Sequence, residues 1–253
     1  MALEIRKKYN ISMKLPEKIS PCPIVEAIVE IRFQPSLPLD AVFGMVYSAV
    51  KDDFSTTEKL PILQLPEAVR DQDPNLRYKP HYRLKGEKFL MNVGSRVLSV
   101  INTGDYIGWD KFFEKIKSVL VKIEPLKIMD KIVRIGIRYV NFFEDLDIYD
   151  KINLKINFHD QPFAAKQKTF KALMDKSPFI SNLQLVNNNQ VNVKGQIETG
   201  SVLDSDNYIE NLNGIPYSDL EKVINAGHLV EKEIFFSLLT DEYINTLNPV
   251  YKD

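Results

Sequence analysis

The sequence predicts an α+β protein: mainly antiparallel sheet with meanders, packed against two to four helices. Three observations carry that prediction. Residues 23–33 and 131–142 alternate in polarity at the strand period of two. Runs of strand-like sequence broken by glycine- or asparagine-bearing turns follow in both halves. Between them lie stretches whose apolar residues fall three and four apart, the helical period.

Residues 1–20 are polar and mildly basic, a lead-in with Pro16 near its end. In 23–33, Val25, Ala27, Val29, Ile31 and Phe33 make one wholly apolar face. Ile24, Glu26, Ile28, Glu30 and Arg32 make the other. Pro38 suits the first turn of a helix striped by Leu39, Val42, Phe43, Val46, Val50 and Phe54. The prolines of 55–75 predict an extended connector, and 77–102 a three-stranded meander turning at Gly86-Glu87 and Gly94-Ser95. A second helix presents Trp109, Phe112, Phe113, Ile116, Leu120 and Ile123 on one side and stops at Pro125. The strand of 131–142 closes this half.

In the second half the pattern predicts a strand over 152–158 and a helix over 162–174. Strands 179–186 and 190–198 flank an Asn187-Asn188-Asn189 turn, and Gly200 turns into a third strand, 201–206. Ser218-x-x-Glu221 has capping-box spacing before a long stripe from Leu220 to Leu238, and Thr240 suits the N-cap of a last short helix. Each half thus reads strand, helix, meander, helix, the pattern a duplication would leave, although no residue-level self-similarity accompanies it. The expected organisation is a lead-in (1–20), an N-terminal half (21–145) and a C-terminal half (146–253) packed into one body.

The formal net charge of −1 gives no global attraction to nucleic acid or an anionic membrane. Residues 198–253 carry 11 acidic against 3 basic side chains, a net of −8 that leaves +7 on the rest. Such asymmetry marks either a partner surface or a solvated helix face. With one cysteine, Cys22, no intramolecular disulfide is expected. The N-terminus resembles no signal peptide and no long apolar run spans a membrane, so the expected compartment is the cytoplasm.

The chemistry-bearing residues cluster on the two strong strands. Glu26 and Glu30 share one strand face, and Arg134 and Arg138 share another. Antiparallel neighbours would set Glu26 opposite Arg138 and Glu30 opposite Arg134. A parallel arrangement would pair Glu26 with Arg134 and Glu30 with Arg138. Either way the charges pin strand register, or they form with Arg32 a polar floor for a partner. Two carboxylates four residues apart also suit acid–base chemistry, but no sugar-binding cleft is legible beside them. No metal-ligand spacing joins His81, His159 and His228, and no glycine-rich phosphate loop or nucleophile motif is present. No cofactor or metal is expected, and the balance leans away from an enzyme. Trp109, Asn141 and His228 are secondary candidates for binding.

Pro23-Ile24-Val25-Glu26-Ala27-Ile28-Val29-Glu30-Ile31-Arg32-Phe33 and Arg134-Ile135-Gly136-Ile137-Arg138-Tyr139-Val140-Asn141 resemble two motifs of a sporadically distributed, functionally uncharacterised family. Its members are bacterial and archaeal proteins of similar length. Looser matches are Tyr106…Trp109…Phe113 and the C-terminal helix, with His228 followed by Phe235 or Phe236. The family brings no catalytic residue. Its patchy occurrence resembles that of toxin–antitoxin, immunity and phage-defence cassettes, which implies a protein partner. The expected function is therefore a non-catalytic protein-interaction module, an accessory, immunity or antitoxin-like component. The alternative is a small-ligand or nucleic-acid sensor with a concave sheet gripped by the C-terminal helix.

Overall fold

The computed structural model describes residues 15–159, 161–162, 165–193 and 195–251; most of the expected lead-in lies outside them. The strands of the main sheet are β1 (Ile24–Pro35), β2 (Thr56–Lys59), β3 (Tyr82–Lys85), β4 (Phe89–Val93), β5 (Val97–Thr103) and β6 (Met129–Glu144), then β9 (Thr169–Lys176), β10 (Phe179–Val193) and β11 (Gln196–Ile215). The two-residue strands β7 (Asn157–Phe158) and β8 (Gln161–Pro162) pair apart from it. The helices are α1 (Leu39–Val50), α2 (Glu67–Gln72), α3 (Trp109–Ile123), α4 (Leu220–Leu238) and α5 (Asp241–Thr246).

Nine strands form one antiparallel sheet in the order β2-β3-β4-β5-β1-β6-β11-β10-β9. The strongly patterned strands, β1 and β6, lie side by side at its centre, and a meander runs outward from each. Both halves therefore share one sheet. In the first, β1 is followed by α1, the meander and α3; in the second, β6 is followed by an irregular connection, the meander and α4.

One face is covered by helices because each strand supplies an apolar row with period two and each helix an apolar stripe. Ala27, Val29, Ile31 and Phe33 of β1 and Ile135, Ile137 and Tyr139 of β6 are buried. They meet Val42, Val46 and Val50 of α1, Phe112 and Ile116 of α3, and Leu220 and Ile224 of α4. A second cluster joins Leu183, Leu185 and Leu203 to Phe235, Phe236, Leu239 and Ile244. Fully burying one such side chain contributes about 1.5–3 kcal/mol, so this layer carries most of the stability. Among the described residues no helix is long and apolar enough to cross a membrane.

Local expectations fail where a tertiary contact outweighs propensity. The helix expected over 162–174 is not formed: Thr169–Lys176 is strand β9, alternately exposed and half-buried beside β10, and residues 163 and 164 lie outside the described set. The strand of 152–158 shrinks to β7. Asn187-Asn188-Asn189 is not a hairpin turn but a bulge inside β10, with the register shifting between Val186 and Asn189. Asn188 takes φ 48° there, and buried Asn187 donates to Asp147 at 2.8 Å. Asparagine serves both structures because it tolerates the left-handed backbone. The hairpin closes instead at Gly195, φ 90°. Gly200 lies within β11, where a Cβ would collide with the Phe143 carbonyl. The capping box does not form: a 3-10 turn over Tyr217–Asp219 precedes α4, and its N-cap, Asp219, makes no side-chain bond. Thr240 does cap α5, accepting from the Tyr243 amide at 3.3 Å. The connector of 55–75 holds β2 and α2, both too short to show a period.

Candidate functional site

Between the bulges, the second face of the sheet carries the even-numbered residues 26–32 of β1, 134–142 of β6 and 202–210 of β11; towards β5 it is covered, since Val97, Ser99 and Ile101, opposite Arg32, Glu30 and Ile28, are buried. β1 and β6 are antiparallel, with Glu26 opposite Val140, Ile28 opposite Arg138, Glu30 opposite Gly136 and Arg32 opposite Arg134. This differs by two residues from the expected pairing of Glu26 with Arg138 and Glu30 with Arg134. A slip of two preserves the face, so the charges still share one surface. Their partners change.

The arginines reach diagonally. Arg134 donates from Nη1 to Glu30 at 2.8 Å and from Nη2 to Asp206 of β11 at 2.7 Å. Its guanidinium lies 4.3 Å from the centre of the Tyr208 ring, and Glu210 stands 3.7 Å from its Nε. Gly136 makes this possible: a Cβ there would sit 2.5 Å from Arg134 Nη1. The Arg-x-Gly-x-Arg pattern thus leaves an arginine-sized recess in the centre of the sheet. Arg138 turns to Asp204 in a two-pronged pair, 2.7 Å from Nε and 2.6 Å from Nη2. Arg32 donates to Glu30 at 2.7 Å and lies over the ring of Tyr78.

Among the described residues Glu26 makes no close ion pair. Burial raises its pKa against the opposing pull of Arg138 and Arg83. Asp206 is also raised, by burial first, with Arg134 opposing and Glu30 adding. The Asp204 pair holds the Arg138 pKa above its ordinary value. Glu26 apart, the charges of this face neutralise one another through Arg32, Arg134 and Arg138.

The secondary candidates lie elsewhere. Asn141 is buried and donates to the Leu203 carbonyl across the β6–β11 ladder at 3.2 Å. Trp109 and His228 are on the helix side of the sheet, stacked 3.9 Å apart at 8°. They join α3 to α4, helped by the Trp109 indole donating to Asn225 at 3.0 Å. His228 Nδ1 lies 2.9 Å from the Tyr139 hydroxyl, which lies 3.2 Å from that of Tyr106. Burial drives the His228 pKa far down, so the ring is neutral. The Tyr139 hydroxyl has one proton, so it donates to one of these two neighbours and accepts from the other. Glu231, three residues further along α4, is buried with Oε1 unpartnered among the described residues. Burial pushes its pKa up to about 8, with Lys232 opposing.

The structure therefore gathers Glu26, Glu30, Arg32, Arg134 and Arg138 on one surface and separates them from Trp109, Asn141 and His228. Asp204, Asp206 and Tyr208 complete the surface and were missed. Their signal was present in the alternation of Val202, Asp204, Asp206, Tyr208 and Glu210, the same polarity period seen in β6. Glu231 was missed because one glutamate on a long helix looks like any solvated charge. Among the described residues no group of three or more His, Cys, Asp and Glu side chains has the arrangement to hold a metal ion. No protein-family profile and no curated protein matches the chain.

Proposed function

We propose that the protein is a non-catalytic interaction module that docks a partner protein on the open face of its sheet. One observation supports this above all: the face is polar, yet the two arginines of β6 on it are already paired. Arg134 is matched by Glu30 and Asp206, and Arg138 by Asp204. A surface that neutralises itself offers little to a phosphate backbone, whose binding depends on uncompensated cations. It offers more to a protein, whose interface core is depleted of free charge and mixes apolar and hydrogen-bonding groups. Ile28, Val140 and Tyr208 are half-buried among these ion pairs and supply the apolar component.

The resemblance to a patchily distributed family favours an immunity or antitoxin-like role in the cytoplasm. A sensor gripped by the C-terminal helix is less well supported, because Ile224, Ala226 and Val230 of α4 pack into a filled core.

The test is co-purification with the product of the neighbouring gene, followed by hydrogen exchange on the complex. Protection should rise on β1, β6 and β11, and Ile28→Arg should abolish it without lowering the melting temperature. Protection confined to the helices would refute the reading, and so would affinity that collapses between low and physiological salt.

A further inference from the structure

A cavity of about 310 Å³ lies between α1, α2, β3 and the turn at Ser95, and its residues are none of those that pair on the sheet face or in the Tyr139–His228 chain. It is roofed by a segment that contributes nothing to the core, since no residue from 55 to 83 is buried. That strap is held by backbone and polar contacts, such as Leu60 N to His81 O at 2.9 Å and Arg96 to Asp71 at 2.9 Å. Segments with so few buried contacts open at low cost.

The charges lining this cavity differ from those of the sheet face. Arg70 is fixed through Nε on the Leu65 carbonyl at 3.1 Å, and Arg77 through Nε on the Asp71 carbonyl at 3.0 Å. Both guanidiniums are thereby held in place, yet neither has a carboxylate partner among the described residues. Asp40 and Glu67 line the same cavity and likewise make no ion pair there. Asp71 is already taken by Arg96. His81, beside Arg70 Nη1 at 3.1 Å, is held neutral chiefly by burial and then by that arginine. Two cations and two anions thus remain unmatched, while Leu39, Leu63 and a Phe43–Tyr82 stack, 3.6 Å between ring centres, give an apolar wall.

We infer that this cavity binds a small zwitterion, a free α-amino acid with an apolar side chain. The carboxylate would take the Arg70 and Arg77 forks, the ammonium would go to Asp40 and Glu67, and the side chain would lie on Leu39 and Phe43. Guanidinium is suited to two-pronged carboxylate recognition. The two carboxylates oppose a bare anion, and the volume falls at the small end for ligand sites. The site is independent of the partner face.

The test uses the full chain with L-leucine and L-phenylalanine as probes, in calorimetry and thermal melting. N-acetyl-leucine, leucinamide and inorganic phosphate are the controls. One of the free amino acids should bind saturably and raise the melting temperature. Acetylating its amine or amidating its carboxylate should each weaken binding about ten- to hundredfold. Arg70→Gln, Arg77→Gln and the pair Asp40→Asn with Glu67→Gln should do the same while leaving the unliganded melting temperature unchanged, because all four positions lie outside the core. Phosphate or N-acetyl-leucine binding as tightly as leucine would overturn the inference in favour of a plain anion site. No binding by either amino acid at millimolar concentration would overturn it outright. The Arg70→Gln variant should still retain the co-purified partner, which separates failure here from failure of the docking surface.

Discussion

The two faces of β6 carry polar networks built on opposite principles. On the open side, Arg134 and Arg138 are ionised and each is met by carboxylates at hydrogen-bonding distance. On the helix side, Tyr106, Tyr139 and His228 form a chain of neutral groups, and the nearby acid, Glu231, is left with an unpartnered oxygen. The contrast follows from water access. A half-exposed strand face can hold charge if each charge has a partner, whereas a sealed core pushes its groups towards neutrality. Neighbouring residues of one strand, Arg138 and Tyr139, therefore belong to different electrostatic regimes.

Removing the lone acid tests the sealed side and should give the largest effect. The folded pKa of Glu231, about 8, lies above its ordinary value of 4.5. Between those values the folded state holds a proton that the unfolded state has released, so wild-type stability falls as pH rises through the window and levels off above it. Glu231→Gln cannot ionise and should lack that fall. The difference in urea-unfolding free energy between variant and wild type should grow by on the order of 3–5 kcal/mol from pH 5 to pH 9. A constant difference across that range would mean that the carboxylate is solvated.

On the open side, Arg134→Met should lower stability by about 2–4 kcal/mol. The arginine side chain is only 7% exposed; its loss strands Asp206, about a quarter exposed, and leaves Glu30 with Arg32 alone. Adding Asp206→Asn to Arg134→Met should recover part of that loss in the same unfolding assay, because the stranded carboxylate is then neutral while Glu30 keeps Arg32.

Much of this architecture was legible because it is periodic. Val29, Ile31, Ile135 and Ile137 announce two strands, and the shared polarity of Glu30 and Arg134 places them on one face. Register was not legible. Glu30 finds Arg134 diagonally, across the space left by Gly136, and no sum of residue numbers distinguishes a diagonal contact from a direct one. The edge strand β9 was hidden because Ala, Lys and Gln around it favour a helix, and only pairing with β10 overrides them. The cavity over Arg70 was hidden more deeply. Arg70, Arg77 and Glu67 come from a segment with neither helical nor strand periodicity, and they meet Asp40 of α1 only through the fold of the strap.

A smaller effect is expected within the neutral chain. Tyr139→Phe removes a hydroxyl bonded to both Tyr106 and His228, and should cost about 1–2 kcal/mol. Its pH dependence should match wild type, since Tyr139 titrates far above any working pH. His228→Asn should cost less stability in the Tyr139→Phe background than in the wild type, the coupling that a double-mutant cycle measures.

The smallest effect on stability decides most about function. Arg138 holds Asp204 with two bonds, but its side chain is 44% exposed, and exposed ion pairs are typically worth about 0–1 kcal/mol. Arg138→Met should therefore melt within a degree or two of wild type. If the pair served only to set register, nothing else would change. On a docking face the same substitution leaves Asp204 uncompensated, and desolvating that carboxylate under a partner would weaken the complex by about 2–5 kcal/mol. A melting curve and a partner titration on this one variant separate the alternatives: an unchanged fold with lost binding supports docking, whereas a destabilised fold with intact binding assigns the arginine to the sheet alone.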